Sequence, residues 1–170
     1  PPLPPERAIV RVDDTLEAYH ELARRERREQ AWRVAAITGS VGKTTTKDFL
    51  AALLKPHLSI GSSSGNRNNT LGLPAEILSQ SPDVDVFVAE AGMNTPGELT
   101  VVGEILRPQV LLYTRIAPAH TEFFDGLEGV VRAKAELLPW LDGEGTLVIN
   151  ASDPHQEAFP TETSARVLRY

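Results

Sequence analysis

The segment Thr38-Gly39-Ser40-Val41-Gly42-Lys43-Thr44 has residue types that suit phosphate chemistry. It follows the apolar run Val34-Ala35-Ala36-Ile37 and precedes Thr45-Thr46-Lys47-Asp48-Phe49-Leu50-Ala51-Ala52-Leu53-Leu54, which reads as a helix. Strand, glycine turn, Lys-Thr and helix, in that order, cradle a nucleoside triphosphate. The glycines let main-chain N–H groups face phosphate oxygens, and the helix N-terminus adds partial positive charge. Lys43 is placed for the outer phosphates and the Thr44 hydroxyl for a Mg²⁺ ion. The strict pattern sets its first glycine at Ile37; here it falls at Gly39, so the loop is a shortened variant.

Other groups suit the same chemistry. Glu90 ends the apolar run Val84-Asp85-Val86-Phe87-Val88-Ala89, where an acid can bind Mg²⁺ or orient a water beside a γ-phosphate. His120 follows a buried strand in the turn Pro118-Ala119-His120. Lys134 has Val130, Val131, Leu137 and Leu138 at its helical neighbour positions and no acid to pair with. Its plain reading is a lysine that lays its stem on apolar surface and keeps its amine in water. Asn66, Asn68 and Asn69 are either turn formers or a neutral hydrogen-bonding surface for a polar substrate. His57 and His155 read as ordinary surface residues, as does His20 in the first helix.

Composition sets the outer limits. The chain has 170 residues, enough for one domain that buries roughly 70% of its unfolded surface. A net charge of −6 gives no global pull toward nucleic acid. Arg24, Arg25, Arg27 and Arg28 interleave with Glu21, Glu26 and Glu29, the pattern of a solvated helix face. The chain has no cysteine, which excludes disulfides, thiolate metal sites and a cysteine nucleophile, and fits a reducing compartment. No apolar run approaches the roughly 20 residues of a membrane span. Pro1-Pro2-Leu3-Pro4-Pro5-Glu6 has neither a basic start nor an apolar centre, and reads as linker rather than signal peptide.

The elements that must position these groups alternate. Asp13 or Asp14 caps a helix through about Gln30, with Leu16, Tyr19, Leu22 and Ala23 on one stripe. Strand Arg33–Thr38 leads to helix Thr44–Leu54, stopped by Pro56. A polar loop over Ser62–Asn69 precedes a short helix at Pro74–Ser79. Then come strand Val84–Glu90, helix Gly97–Arg107, strand Gln109–Ile116, helix Glu128–Leu138, strand Gly145–Asn150 and a start of strand at Ala165–Leu168. Such alternation implies an α/β fold with a mostly parallel sheet flanked by helices. Ligands in such sheets sit outside the carboxyl ends of the strands. The phosphate loop, Glu90 and His120 all fall at strand ends, so they are expected on one rim.

Five blocks resemble the ATP-dependent Mur ligases of peptidoglycan synthesis: residues Thr38 to Thr45; Gly65-Asn66-Arg67-Asn68-Asn69-Thr70-Leu71-Gly72-Leu73-Pro74; Glu90-Ala91-Gly92-Met93-Asn94-Thr95-Pro96-Gly97-Glu98; Pro118-Ala119-His120-Thr121-Glu122-Phe123-Phe124; and Leu127-Glu128-Gly129-Val130-Val131-Arg132-Ala133-Lys134-Ala135-Glu136. Their order and spacing look like the member that adds D-alanyl-D-alanine to the UDP-muramoyl tripeptide. The resemblance implies a P-loop NTPase-like central domain at 32–170, incomplete at its C-terminus, preceded at 1–31 by an interdomain linker and helix. It implies a cytoplasmic enzyme that is inactive without its other domains. It implies ATP at Gly39, Ser40, Val41, Gly42, Lys43, Thr44 and Thr45, with Asn150 and Asp153 near the nucleotide. Mg²⁺ would be held by Thr44, Glu90 and His120, and by Lys134 once carbamylated. Lys43, His120 and Lys134 would be catalytic, and Asn68 and Asn69 would line the substrate side. The product would be an amide formed through an acyl phosphate.

Two positions depart from the family pattern. Arg115 stands where an asparagine is usual, so it alters substrate choice or adds a phosphate contact. Ser152 stands where an acid is usual. Two other functions stay open on sequence: a Mur-type ligase for another acid, such as a folate or poly-amino-acid ligase, and a non-catalytic module that uses nucleotide only to order its loops.

Overall fold

A computed structural model describes residues 9–118 and 123–170. His120 therefore lies outside the described residues, as does the Pro1–Glu6 segment. Asp14 caps helix α1 (Thr15–Glu29), its carboxylate accepting the N–H groups of Leu16 and Glu17 at 2.8 and 2.9 Å. Strand β1 (Arg33–Thr38), helix α2 (Lys43–Leu54), strand β2 (Ile60–Ser62) and helix α3 (Gly72–Ser79) follow. Next are β3 (Val86–Glu90), α4 (Glu98–Leu106), β4 (Val110–Tyr113), α5 (Gly126–Ala135), β5 (Thr146–Ile149) and β6 (Arg166–Arg169), with three short 3-10 turns after α5.

All six strands form one parallel sheet in the order β2-β3-β1-β4-β5-β6. This is the expected architecture. The near-continuous apolar run of β1 suits its central place, with β3 on one side and β4 on the other. The chain leaves β1 toward β2 and later returns past it to β4. The order reverses beside β1, where such sheets open a ligand crevice.

Four differences from the sequence reading are instructive. Strand β2 has only three residues and one apolar anchor, Ile60; its pairing with β3 makes it a strand, not its own pattern. Strand β4 ends at Tyr113, paired with the last residue of β1; the Thr114 N–H closes the ladder on the Thr38 carbonyl at 2.8 Å and its hydroxyl bonds the same oxygen at 3.0 Å. The buried face of α1 is His20, Ala23, Arg24 and Arg27, while Leu16 and Leu22 are exposed. Arg24 and Arg27 are thus not part of a solvated face. Arg24 binds Glu17 and Glu21 at 2.8 and 3.0 Å and Glu104 at 3.1 Å. Arg27 donates from Nε to the Leu106 carbonyl at 3.0 Å and lies 5.0 Å from the Trp32 ring centre. Their stems supply apolar surface while their heads find acceptors.

The main core fills one face of the sheet. Trp32, Val34, Phe87, Ala89, Leu111, Tyr113 and Leu147 meet Leu73 and Ile77 of α3, Leu99 and Ile105 of α4, and Val130 and Ala133 of α5. Ala35, Ile37 and Val88 point to the other face, beneath α2. Phe87 is fully buried against Trp32, with ring centres 5.4 Å apart. Phe87→Ala should lower stability by about 3–5 kcal/mol. A urea melt with an unchanged midpoint would show that this side chain does not anchor the sheet.

Candidate functional site

At the carboxyl end of β1 the chain turns through Gly39 (φ 139°) and Gly42 (φ 91°), a region that disfavours side chains. A Cβ on Gly39 would also lie 2.0 Å from Thr114 Oγ1. The loop is pinned to the segment after β4. Ser40 N–H donates to the Arg115 carbonyl at 2.7 Å, and the Ser40 hydroxyl donates to the Ala117 carbonyl at 2.8 Å. Gly42 caps α2 without a side-chain bond. The first N–H groups of that helix have no carbonyl behind them and form an anion-binding end.

Two ammonium groups converge on this loop. Lys43 Nζ donates to the Gly39 carbonyl at 3.0 Å, and Lys134 Nζ donates to the same oxygen at 3.0 Å. Lys134 is 3% exposed, so the reading of an amine kept in water is overturned. Helix α5 turns this residue inward, and its backbone carbonyl accepts the Tyr113 hydroxyl at 2.7 Å. Burial, and then the nearby Lys43 charge, draw the Lys134 amine down from 10.5 to about 7.

Glu90 stands across the loop at the end of β3 and is 3% exposed, so it is not a strand-end acid facing solvent. Its Oε2 accepts the Thr44 hydroxyl at 2.6 Å and its Oε1 accepts Asn68 Nδ2 at 2.9 Å. Its backbone N–H donates to Ser63 Oγ at 2.9 Å, and the buried Lys47 donates to the Ser63 carbonyl at 2.8 Å. The sequence reading missed Ser63 and Lys47. Lys47 had a signal, since it lies one turn beyond Lys43 on the same helix face. Ser63 had none, because β2 carries no pattern of its own.

The remaining candidates divide between two places. Asn68 lines a cleft with Gly39, Lys43, Gly92, Asn94, Phe124 and Lys134. Asn69 instead spends its Oδ1 on the N–H groups of Leu71 and Gly72, at 3.1 and 2.9 Å, at the start of α3. Arg115, Asn150 and Asp153 line a second cavity with His155, on the other side of the loop. The Asp153 carboxylate there accepts the N–H groups of Ile116 and His155 and the amide of Gln156 at 2.7–3.1 Å, so it braces the cavity wall. Val41 and Thr45 are exposed. Thus Lys43, Thr44, Asn68, Glu90 and Lys134 share one rim, and Arg115 sits with Asn150 and Asp153 rather than with Asn68.

Among the described residues no three histidine or acidic side chains converge as a ready metal cage. The hydroxyl of Thr44 and the carboxylate of Glu90 nevertheless make a hard-oxygen pair. That donor set suits Mg²⁺, which fills its other positions with water and phosphate oxygens.

Residues 37–170 match the Mur ligase middle domain. The UDP-N-acetylmuramoyl-tripeptide–D-alanyl-D-alanine ligase of Bacillus subtilis is 35% identical over 95% of this chain, which covers 36% of that protein. The Escherichia coli enzyme of the same name is 38% identical over 84% of the chain and 31% of its own length. Among solved structures, MurF from Acinetobacter baumannii superposes with a TM-score of 0.90 at 31% identity, covering 96% of this chain and 38% of that one. MurF from Thermotoga maritima in complex with ADP gives 0.83 at 30% identity, over 96% and 40%. The chain therefore spans about a third of the length of the curated relatives it matches. With the matched domain covering most of its residues and two strand ends meeting at its phosphate loop, this chain belongs to the Mur ligase family.

Proposed function

We propose that this chain is the nucleotide-binding part of an ATP-dependent ligase that joins D-alanyl-D-alanine to a UDP-muramoyl tripeptide. The observation that carries the reading is the pair of lysines on the Gly39 carbonyl, opposite the Glu90–Thr44 pair. Cations at a helix N-terminus answer a triphosphate, and the oxygen pair answers its metal. The names of the B. subtilis and E. coli relatives support the substrates, and the ADP held by the T. maritima relative supports the nucleotide.

In this reading the tripeptide's terminal carboxylate attacks the γ-phosphorus and the bond to the β–γ bridging oxygen breaks. ADP leaves and an acyl phosphate remains. The D-alanyl-D-alanine amine then attacks the acyl carbon, phosphate departs, and loss of the amine proton completes the amide. Lys43 neutralises charge on the outer phosphates, and the loop glycines admit them to main-chain N–H groups. Thr44 and Glu90 would hold Mg²⁺, which would neutralise charge on the transferring group; by their match to the family motif, His120 and a carbamylated Lys134 would complete the metal set. Asn68 lies on the side of the acid substrate. Arg115 shares a cavity with Asn150 and Asp153, which supports nucleotide contact rather than acid choice for it. The protein works in the cytoplasm.

The sheet also speaks to domain extent. Among the described residues only α2 covers its second face. Val110 and Leu168 are exposed there, Leu112 and Val148 half-exposed, and Phe49 and Leu53 of α2 are 67% and 57% exposed. Parallel sheets are stable when both faces are covered. This open face supports the reading in which residues 32–170 are the first part of a central domain whose further polypeptide lies there, with 1–31 the segment that leads into it.

Four outcomes test these statements. Lys43→Ala in the longer ligase should lower turnover by about 10²-fold or more, the scale of losing a preorganised charge; a near-normal rate in a steady-state assay would remove the phosphate assignment. The lowered Lys134 value implies that its amine becomes neutral, and able to attack CO₂, as pH rises through about 7. Bicarbonate should then activate weakly active enzyme near pH ~8 and not near ~6, and a flat response at both would exclude the carbamate. In this chain, unfolded Lys134 binds more protons than folded Lys134 between about 7 and 10.5. Stability from this group thus rises with pH across that window and its penalty is full below it. Lys134→Met should raise the urea midpoint most at the acid end. Finally, this chain alone should light up a dye for apolar surface more strongly, per domain, than the longer protein does; equal signals would mean that nothing further packs on the α2 side.

A further inference from the structure

Helix α1 meets the asparagine loop at two neighbouring points. His20 is 5% exposed, and its Nε2 lies 2.8 Å from the Thr70 carbonyl oxygen. The Tyr19 hydroxyl donates to the Leu71 carbonyl at 3.1 Å. A carbonyl only accepts, so His20 Nε2 carries the hydrogen. The need for an outside donor is written in the sequence. Thr70 stands four residues before Pro74, which has no N–H to return to it. Helix α3 cannot satisfy this carbonyl from within. Its neighbours are already committed: the Asn69 carbonyl takes Leu73 N–H at 3.0 Å, and Asn69 Oδ1 takes Leu71 and Gly72 N–H. Two residues before Thr70, the Asn68 amide reaches Glu90 at 2.9 Å, and the Asn68 carbonyl accepts Gly92 N–H at 2.7 Å. A histidine on a helix outside the sheet therefore completes the bonding of the stretch that touches the site carboxylate.

We propose that His20 is a positioning residue for the asparagine loop: its Nε2–H replaces the N–H that Pro74 lacks, and so keeps Asn68 in register with Glu90. Tyr19 adds a second tie on the same turn. The effect belongs to the acid-substrate side of the rim. The phosphate loop is pinned separately, by Ser40 to Arg115 and Ala117, and does not depend on it. This kinetic consequence rests on the ligase reading; the tie itself does not.

The test is amide hydrogen exchange by NMR on this chain, for the parent, His20→Leu, His20→Gln and Tyr19→Phe. In His20→Leu the amides of Leu71, Gly72, Leu73 and Gly92 should exchange about tenfold faster, the scale of one lost hydrogen bond. The β1 and β3 amides of Ala36 and Val88 should keep their rates. His20→Gln, which retains a donor, should restore the parent pattern at those amides. Unchanged loop amides would overturn the proposal, and so would equal acceleration of loop and strands, which marks plain packing. Should His20→Leu fail to fold, Tyr19→Phe decides: a smaller acceleration confined to the same amides supports the tie, and none overturns it. In the longer enzyme His20→Leu should raise KM for the acid substrate and leave KM for ATP unchanged. If the parent enzyme does not ligate at all, the ligase reading fails while the exchange result still decides the role of His20.

Discussion

Two ammonium groups sharing one carbonyl oxygen is the constraint around which this rim is arranged. The Gly39 carbonyl relieves part of the repulsion between Lys43 and Lys134, and burial removes the water that would relieve the rest. The lowered affinity of Lys134 for its proton is the visible consequence. Such a site gains by taking in negative charge, such as phosphate oxygens.

That arrangement is only as good as the strands that deliver it. Lys43 comes from the turn after β1, Glu90 from the end of β3, and Lys134 from the helix that follows β4. Because β1 lies between β3 and β4, the loop that follows it has a carboxylate on one flank and an amine on the other. The pinning bonds are mostly main-chain or buried: Thr38 Oγ1 to the Ala91 carbonyl at 2.9 Å, Ser40 to Arg115 and Ala117, and Ser63 to Glu90. Side chains at the rim are thereby held from behind, which preorganised electrostatics requires.

Much of this was legible in the residues themselves, for physical reasons that can be named. The β1 run and the glycine turn state the strand, the loop and the helix start together, because each needs a different and recognisable residue type. Glu90 was legible because an acid closing an apolar strand must find a partner. The fate of Lys134 was not. Its helical neighbours gave no acid, and the sequence offers no way to see that the Gly39 carbonyl, far away in the chain, would accept its hydrogen bond. The same blindness hid the buried arginines of α1. Charge pattern along one helix reports only on that helix, whereas Arg27 is decided by the Leu106 carbonyl and the Trp32 ring. Asn69 was undecided in a subtler way. An asparagine can cap or recognise, and the choice depends on which N–H groups the following turn leaves open.

The position of α1 gives the last step. A helix joined ahead of β1 has no topological reason to touch the site, since the sheet order is complete without it. Its buried face nevertheless carries a histidine where an apolar residue would pack with less cost, and that polar group must be bonded. It finds a backbone carbonyl that the proline of α3 has left without its usual donor. Each side of that bond is a local irregularity with a price in isolation: a polar side chain in a core and a helix start lacking one N–H. Together they cancel, and the cancellation fixes one orientation of α1 against the asparagine loop. Helix α1 is thereby tied to the loop whose Asn68 reaches the carboxylate.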